Sequence, residues 1–304
     1  MKNRNPLTAK KHMKTPRWFS RNRFFSIVRI ASGAALLSVA MALPAAALAD
    51  TSRVYYVALG DSLATGAQPA PSGELNRLLG AHGTNRGYVD DLYAAKRATV
   101  PNLQLRNFGC VSESTQTMIN GGASFDVVCG YERTSQLDHA VAFLQAHQSQ
   151  IAFNTIDIGA NDVVFCVLDR DQGCLDAALT SLESNLAIIL SRLREAAGPD
   201  VPIVGMNYYD PLLAFWFSDP TAAEITEQMV VQFNDVLASV YGAAGDPIAD
   251  VETAFSTTDW TLIDGIPLNV ERICEWTWMC SVGNIHANDD GYGVIAQAFE
   301  QVLP

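Results

Sequence analysis

Five short runs of apolar, β-branched and aromatic residues recur after residue 50, each too short for a helix. They are Val54 to Ala58 (VYYVA), Leu103 to Phe108 (LQLRNF), Ile151 to Ile158 (IAFNTIDI), Val201 to Asn207 (VPIVGMN) and, more weakly, Pro247 to Val251. Runs of this kind read as strands buried on both faces. Between them, apolar residues return at helical spacing over Ser135 to His147, Asp176 to Ala197 and Ala222 to Tyr241, and a last such stretch covers Asp289 to Val302. Alternation of strand and helix predicts parallel strands joined by right-handed crossovers, and hence a three-layer α/β/α sandwich. Ligands of such sheets sit outside the carboxyl ends of the strands. The residues that follow each strand are therefore the place to look for chemistry.

The first 49 residues break this pattern. Nine Lys or Arg precede residue 30, no acid precedes Asp50, and an apolar stretch from Ile30 to Leu48 ends in Ala47-Leu48-Ala49. That layout predicts a signal peptide over residues 1–49, cleaved after Ala49, and a secreted protein. The competing reading is an uncleaved anchor, because the stretch is nearly long enough to span a bilayer; Pro44, Gly33 and the many alanines make it a poor span. Cleavage leaves no stable membrane anchor.

Charge then narrows the partners. The whole chain carries −12 from 20 basic and 32 acidic residues, and cleavage removes nine of the basic ones and none of the acids, leaving −21. So acidic a surface repels nucleic acid and anionic headgroups, so neither is expected as a partner. Residues 50–304 suffice for one large core, and no repeat, linker or charge block marks a second domain, so one domain, a monomer, is expected.

All six cysteines (Cys110, Cys129, Cys166, Cys174, Cys274 and Cys280) lie after the leader. An exported chain keeps disulfides. Short loops close at the lowest entropic cost, which favours Cys110 with Cys129, Cys166 with Cys174, and Cys274 with Cys280. Zinc is the rival, but no pair has C-x-x-C spacing and no histidine lies beside a cysteine.

The strand ends carry a coherent set of groups. Gly60-Asp61-Ser62-Leu63 follows the first run, Asn107-Phe108-Gly109-Cys110 the second, and Gly159-Ala160-Asn161-Asp162 the third; Asn284-Ile285-His286-Ala287-Asn288 precedes the last helix. Acyl transfer needs a nucleophile beside a base, with neutral donors where the carbonyl oxygen becomes negative. Ser62 supplies a hydroxyl and His286 a base. The backbone N–H groups of Ser62 and Gly109 and the side-chain amide of Asn161 supply the donors, Gly109 offering no side chain to obstruct the substrate.

These four blocks, in this order, resemble those of the SGNH (GDSL) hydrolases, and the likeness spans almost all of residues 50–304. It implies a flavodoxin-like α/β/α fold and hydrolysis of carboxylic esters without cofactor or metal. Trp276 to Cys280 and His286 to Tyr292 look most like secreted bacterial lipases and esterases. The family commonly has an aspartate three residues before the histidine, where this chain has Gly283. Some members work with a Ser-His dyad whose Nδ1–H is held by a main-chain carbonyl. That reading, with the carbonyl drawn from Cys280 to Gly283, is favoured here over a distant carboxylate such as Asp264, Asp289 or Asp290. The two aspartates after the histidine read as cap and first-turn acids of the last helix.

Plainer readings stand beside these. Ser62 could be a helix N-cap and Asn161 a turn residue. Asp61 and Asp162 read as loop supports, and His82, His139 and His147 as solvated or satisfied. Tyr208 to Phe217 (YYDPLLAFWF) reads as core or a partly buried lid, with an apolar acyl-binding wall as the sharper alternative. Two other functions stay open: a carbohydrate deacetylase using the same four residues, and a noncatalytic binding protein.

Overall fold

The structure, a computed structural model, describes residues 53–69 and 78–304. The expected signal peptide lies outside the described residues, which all belong to one compact unit.

Five parallel strands form the central sheet: β1 (Val54–Gly60), β2 (Leu103–Asn107), β3 (Ile151–Asp157), β4 (Ile203–Met206) and β5 (Ile248–Ala249). Their order is β2-β1-β3-β4-β5, that of flavodoxin-like doubly wound sheets. Each grows from one of the five apolar runs. β1, β3 and β4 are almost wholly buried, as central strands covered on both faces must be.

The principal helices are α1 (Tyr88–Arg97), α2 (Thr115–Asn120), α3 (Gln136–Ala146), α4 (Ala160–Asp169), α5 (Gln172–Ala197), α6 (Pro220–Ala244), α7 (Leu268–Trp276) and α8 (Asp289–Val302). Layers form because α1 packs on α8, while α3, α5 and α6 pack side by side. Their apolar faces, among them Leu137, Leu186, Phe233 and Phe299, join the strands in one core. The Asn288 side chain, rather than an aspartate, caps α8 by accepting the Gly291 N–H; Asp289 and Asp290 are its first-turn acids.

Register aligns the strand ends. Ala58 stands opposite Asn107 on β2, and Gly60 opposite Asp157 on β3, so the chain leaves all three strands at one rim. Gly60 needs to be glycine there: its φ is +145°, and a Cβ would lie 2.3 Å from the Asp157 carboxyl. Three disulfides join Cys110 to Cys129, Cys166 to Cys174 and Cys274 to Cys280.

Candidate active site

Ser62 sits in the turns that follow β1, with Ala67 donating its N–H to the Ser62 carbonyl at 2.9 Å. It caps no helix, so the N-cap reading does not hold. A pair of buried acids fixes the turn from below. Asp61 Oδ1 accepts the Leu63 N–H at 2.9 Å, and Asp157 Oδ2 accepts the N–H groups of Asp61 and Ala64 at 3.2 Å. Tyr88 donates to Asp157 at 2.5 Å. Burial beside Asp61 pushes Asp157 well above the ordinary carboxylate range, while burial pushes Asp61 up to about 6. Two carboxyls this close cannot both ionise cheaply, so the pair keeps a proton at neutral pH.

The Ser62 hydroxyl lies 2.9 Å from Nε2 of His286. Behind the imidazole, Nδ1 stands 2.8 Å from Oδ1 of Asn284. This oxygen also accepts the His286 backbone N–H at 3.1 Å, and the Asn284 amide nitrogen donates to the Gly80 carbonyl at 2.9 Å. A backbone N–H can only donate and a carbonyl can only accept, so these neighbours fix which end of the Asn284 amide is oxygen. Nδ1 must then carry the proton. Nε2 is left with its lone pair facing Ser62. The histidine is only 4 % exposed, and burial holds its pKa down to about 4, so the ring is neutral at pH 7.

This corrects the expectation for the third group: neither a main-chain carbonyl from Cys280 to Gly283 nor a distant carboxylate holds Nδ1. Asp289 pairs with Arg86 and is exposed, as are Asp290 and Asp264. The His286 loop is held elsewhere by Trp278, which donates its backbone N–H to the His286 carbonyl at 3.0 Å, and by Tyr209, whose hydroxyl donates to the Ile285 carbonyl at 2.9 Å.

Asn161 occupies the first turn of α4, and its amide donates one hydrogen to the Glu113 carbonyl at 2.9 Å. An amide has two, which leaves the second for a ligand at the positive end of α4. Asp162 supports the loop as its sequence position suggests, accepting from the Thr115 N–H at 2.9 Å and hydroxyl at 2.6 Å. The Ser62 N–H has no acceptor among the described residues.

Gly109 has a different task from the one its sequence suggests. Its N–H donates to Asn107 Oδ1 at 2.8 Å, while the same side chain donates to the Ala64 carbonyl at 2.7 Å. Asn107 thereby ties the strand end to the Ser62 turn. A Cβ at Gly109 would come within 2.7 Å of the Ala64 side chain, so close packing asks for a glycine here. Sequence reasoning did not single out Ser112. It holds φ at +66° without being glycine, precedes the residue that anchors Asn161, and its N–H has no acceptor among the described residues. Strained backbone of this kind persists where the surroundings over-determine it.

A pocket of about 700 Å³, part of it open to solvent, reaches from Ser62, Asn161 and His286 between α4 and α6. Val163, Val167, Leu212, Val230 and Phe233 make its walls apolar, and Tyr208 and Tyr209 also line it. The aromatic stretch is thus divided between roles: Tyr208 to Leu212 line the pocket, Leu213 is buried and Phe217 is exposed. Other histidines take local partners. His139 bonds Thr134 at 2.8 Å, His147 bonds the Phe143 carbonyl at 2.9 Å, and His82 is exposed.

Residues 58–294 match the profile of the GDSL-like Lipase/Acylhydrolase family. Among solved structures, the chain is similar to the lipase Lip_vut3 from a goat rumen metagenome, with 16 % identity, 82 % of this chain and 96 % of that one covered, and a TM-score of 0.51. An extracellular lipase from Streptomyces rimosus shares 17 % identity over 82 % and 99 % of the two chains, with a TM-score of 0.51. Phospholipase A1 from Streptomyces albidoflavus NA297 shares 17 % over the same shares, at 0.50. At these identities the likeness is one of fold. No curated protein matches the chain.

Proposed function

Since the chain belongs to the GDSL-like Lipase/Acylhydrolase family, we propose that it is a secreted serine esterase acting on apolar acyl esters, with Ser62 as nucleophile and His286 as general base. One observation carries the reading: a neutral imidazole, its tautomer locked by Asn284, presents a bare Nε2 2.9 Å from the Ser62 hydroxyl.

Ser62 Oγ attacks the acyl carbon as Nε2 takes its proton, forming a tetrahedral oxyanion. The donors best suited to that oxygen are the Ser62 N–H and the unclaimed hydrogen of the Asn161 amide; the Gly109 N–H, the third donor expected from the sequence, already donates to Asn107 Oδ1. The imidazolium then protonates the leaving alcohol. Water, activated by the same nitrogen, releases the acid and frees Ser62. Asn284 offers a neutral acceptor where a carboxylate would add charge. It therefore orients the ring as the asparagine of Cys-His-Asn centres does, without raising the basicity of Nε2 by ion pairing.

The apolar pocket supports an aliphatic or aryl acyl group, since few of its groups could satisfy a polar sugar. Export is supported by the leader pattern and by the three disulfides.

The test is hydrolysis of p-nitrophenyl esters of two to sixteen carbons, set against acetylated xylan, by residues 50–304. Turnover of the aryl esters with labelling of Ser62 by an organophosphonate is expected. Preference for acetylated xylan would make it a carbohydrate deacetylase; no turnover and no label would make it a binding protein.

A further inference from the structure

Behind the oxyanion donors lies a closed acidic corner that the reaction scheme leaves unused. Glu113 is fully buried, and it touches the site in two ways. Its main-chain carbonyl holds the Asn161 amide at 2.9 Å. Its side-chain Oε2 accepts at 3.0 Å from Gln136 Nε2, which also donates to the Gly60 carbonyl at 2.9 Å. Gln136 Oε1 in turn accepts the Gly60 N–H at 2.8 Å. Gln136 thus clamps both backbone groups of the residue two before the nucleophile, and Glu113 orients Gln136. One residue therefore links the oxyanion donor to the nucleophile turn.

The second carboxyl oxygen explains the protonation state. Oε1 of Glu113 and Oδ1 of Asp126 are both buried without a hydrogen-bond partner. Asp126 is 6 % exposed, its other oxygen accepts the Gly122 N–H, and a carboxylate oxygen of each residue lies within 4.8 Å of the other. Two ionised carboxylates here would leave two buried acceptors orphaned and two like charges adjacent. A proton on Glu113 removes the adjacent like charges and gives this corner a donor facing Asp126. A metal ion is a poor alternative, because the third nearby atom, the Cys110 sulfur, is tied up in a disulfide.

We propose that Glu113 is a positioning residue of the ester-hydrolysing centre, acting as a neutral acid whose proton is held by Asp126 and whose other oxygen keeps Gln136 clamped on Gly60. The inference rests on the esterase reading above. Burial pushes Glu113 up to about 7, and the nearby charges of Asp126 and Asp61 add to that rise. The other groups facing it are Thr117, Gln136 and the Tyr131 phenol; among the described residues no Lys or Arg is ion-paired with either carboxyl. Deprotonation would set two anions against each other and pull on the Gln136 clamp. Turnover should therefore fall as pH rises through the Glu113 range.

The experiment measures kcat and KM for p-nitrophenyl butyrate from pH 5 to 9 in the wild type, Glu113→Ala and Glu113→Gln, with circular dichroism to check folding. Loss of the acid should lower kcat about 10- to 100-fold with KM within about twofold, as displacement by about 1 Å does. Glutamine reproduces the neutral acid, accepting from Gln136 and donating to Asp126. It should restore kcat to within about threefold and abolish the decline above pH 7. Any of three results overturns the proposal: a folded alanine variant with wild-type kcat, a glutamine variant as poor as alanine, or an alkaline decline unchanged in the glutamine variant. If alanine prevents folding, the glutamine variant and its pH profile decide alone. A wild type that neither hydrolyses the ester nor labels at Ser62 overturns the esterase reading and this one with it.

Discussion

Asn284 Oδ1 lies 2.8 Å from His286 Nδ1, two residues away in sequence, and receives the His286 backbone N–H as well. The ring and its own backbone are thereby tethered to a single neutral oxygen. Removing that oxygen in Asn284→Ala frees the ring to rotate and to change tautomer, so kcat should fall about 10- to 1,000-fold with little change in KM. Alanine at Asp264, Asp289 or Asp290 should change kcat less than about threefold, because all three are exposed and none reaches the imidazole. Steady-state kinetics of the four variants decides the matter. An indispensable aspartate would remove Asn284 from the role.

Replacing the same amide with a carboxylate tests the electrostatics. Burial holds His286 down to about 4, so the base stays neutral and kcat/KM keeps its plateau well below pH 6. In Asn284→Asp the new anion favours the imidazolium and raises that pKa. The acid limb of the pH profile should move upward by about one unit or more. An unmoved limb would mean that His286 is not the group whose protonation stops the reaction.

Asn161→Ala should lower kcat about 100- to 1,000-fold and leave KM nearly unchanged, because in the proposed reaction its free hydrogen meets charge that develops only in the transition state. A variant altered in KM alone would place Asn161 in substrate binding instead.

Stability should fall as the solution becomes alkaline. Asp61 is raised to about 6, Asp210 and Glu113 to about 7, and Asp157 well above its ordinary value, all chiefly by burial. An acid whose folded pKa exceeds its unfolded one binds its proton more tightly when folded, so its contribution is complete below about pH 4 and is lost as pH rises through 6 to 7. His286 acts oppositely, destabilising the fold as pH drops from about 6.5 toward 4. Four acids outweigh one histidine. Tm should be higher at pH 5 than at pH 8, and Asp210→Asn should flatten the slope; a Tm that rises across this range would contradict the burial of these groups.

Mild reduction should lower activity before the domain unfolds. Cys110 lies in the strand-end loop whose N–H donates to the Gly60 carbonyl at 3.0 Å, and Cys280 closes a loop six residues before His286. Each bridge contributes about 2 to 4 kcal/mol by restricting the unfolded chain, yet the centre tolerates far less displacement than the fold does. Parallel assays of turnover and circular dichroism against dithiothreitol concentration would show the two losses separated. Coincident loss would mean that the bridges support only the global fold.

The alternation of apolar runs was enough to expose the sheet, because strands buried on both faces must be continuously apolar. Some helices escaped notice for the complementary reason. α1, with Asp90, Asp91, Lys96 and Arg97 around Tyr88, Val89 and Leu92, hides a narrow buried stripe among charges. Within the candidate site, the meeting of Ser62, Asn161 and His286 at one pocket was legible from residue types after the first and third strands and before the last helix. That the Gly109 N–H already has an acceptor was not legible, because this depends on the fold of Asn107. Asn284 was passed over for lacking charge. A neutral ring asks only for an acceptor, and the lock on that acceptor comes from Gly80, 204 residues earlier.

That span has a bearing on when the protein becomes active. Ser62 and His286 meet across 224 residues, and the base loop is completed by Ile285 donating its N–H to the Leu78 carbonyl. As the ribosome extends the polypeptide, the nucleophile turn, the oxyanion donors and most of the sheet are made before the imidazole exists. Contacts so distant in sequence form late, after the loop-closure entropy has been overcome. A chain short of its final twenty residues is therefore a nearly whole scaffold with no base. On the proposed esterase reading, the onset of ester cleavage during refolding reports the docking of the last helix and not the collapse of the core.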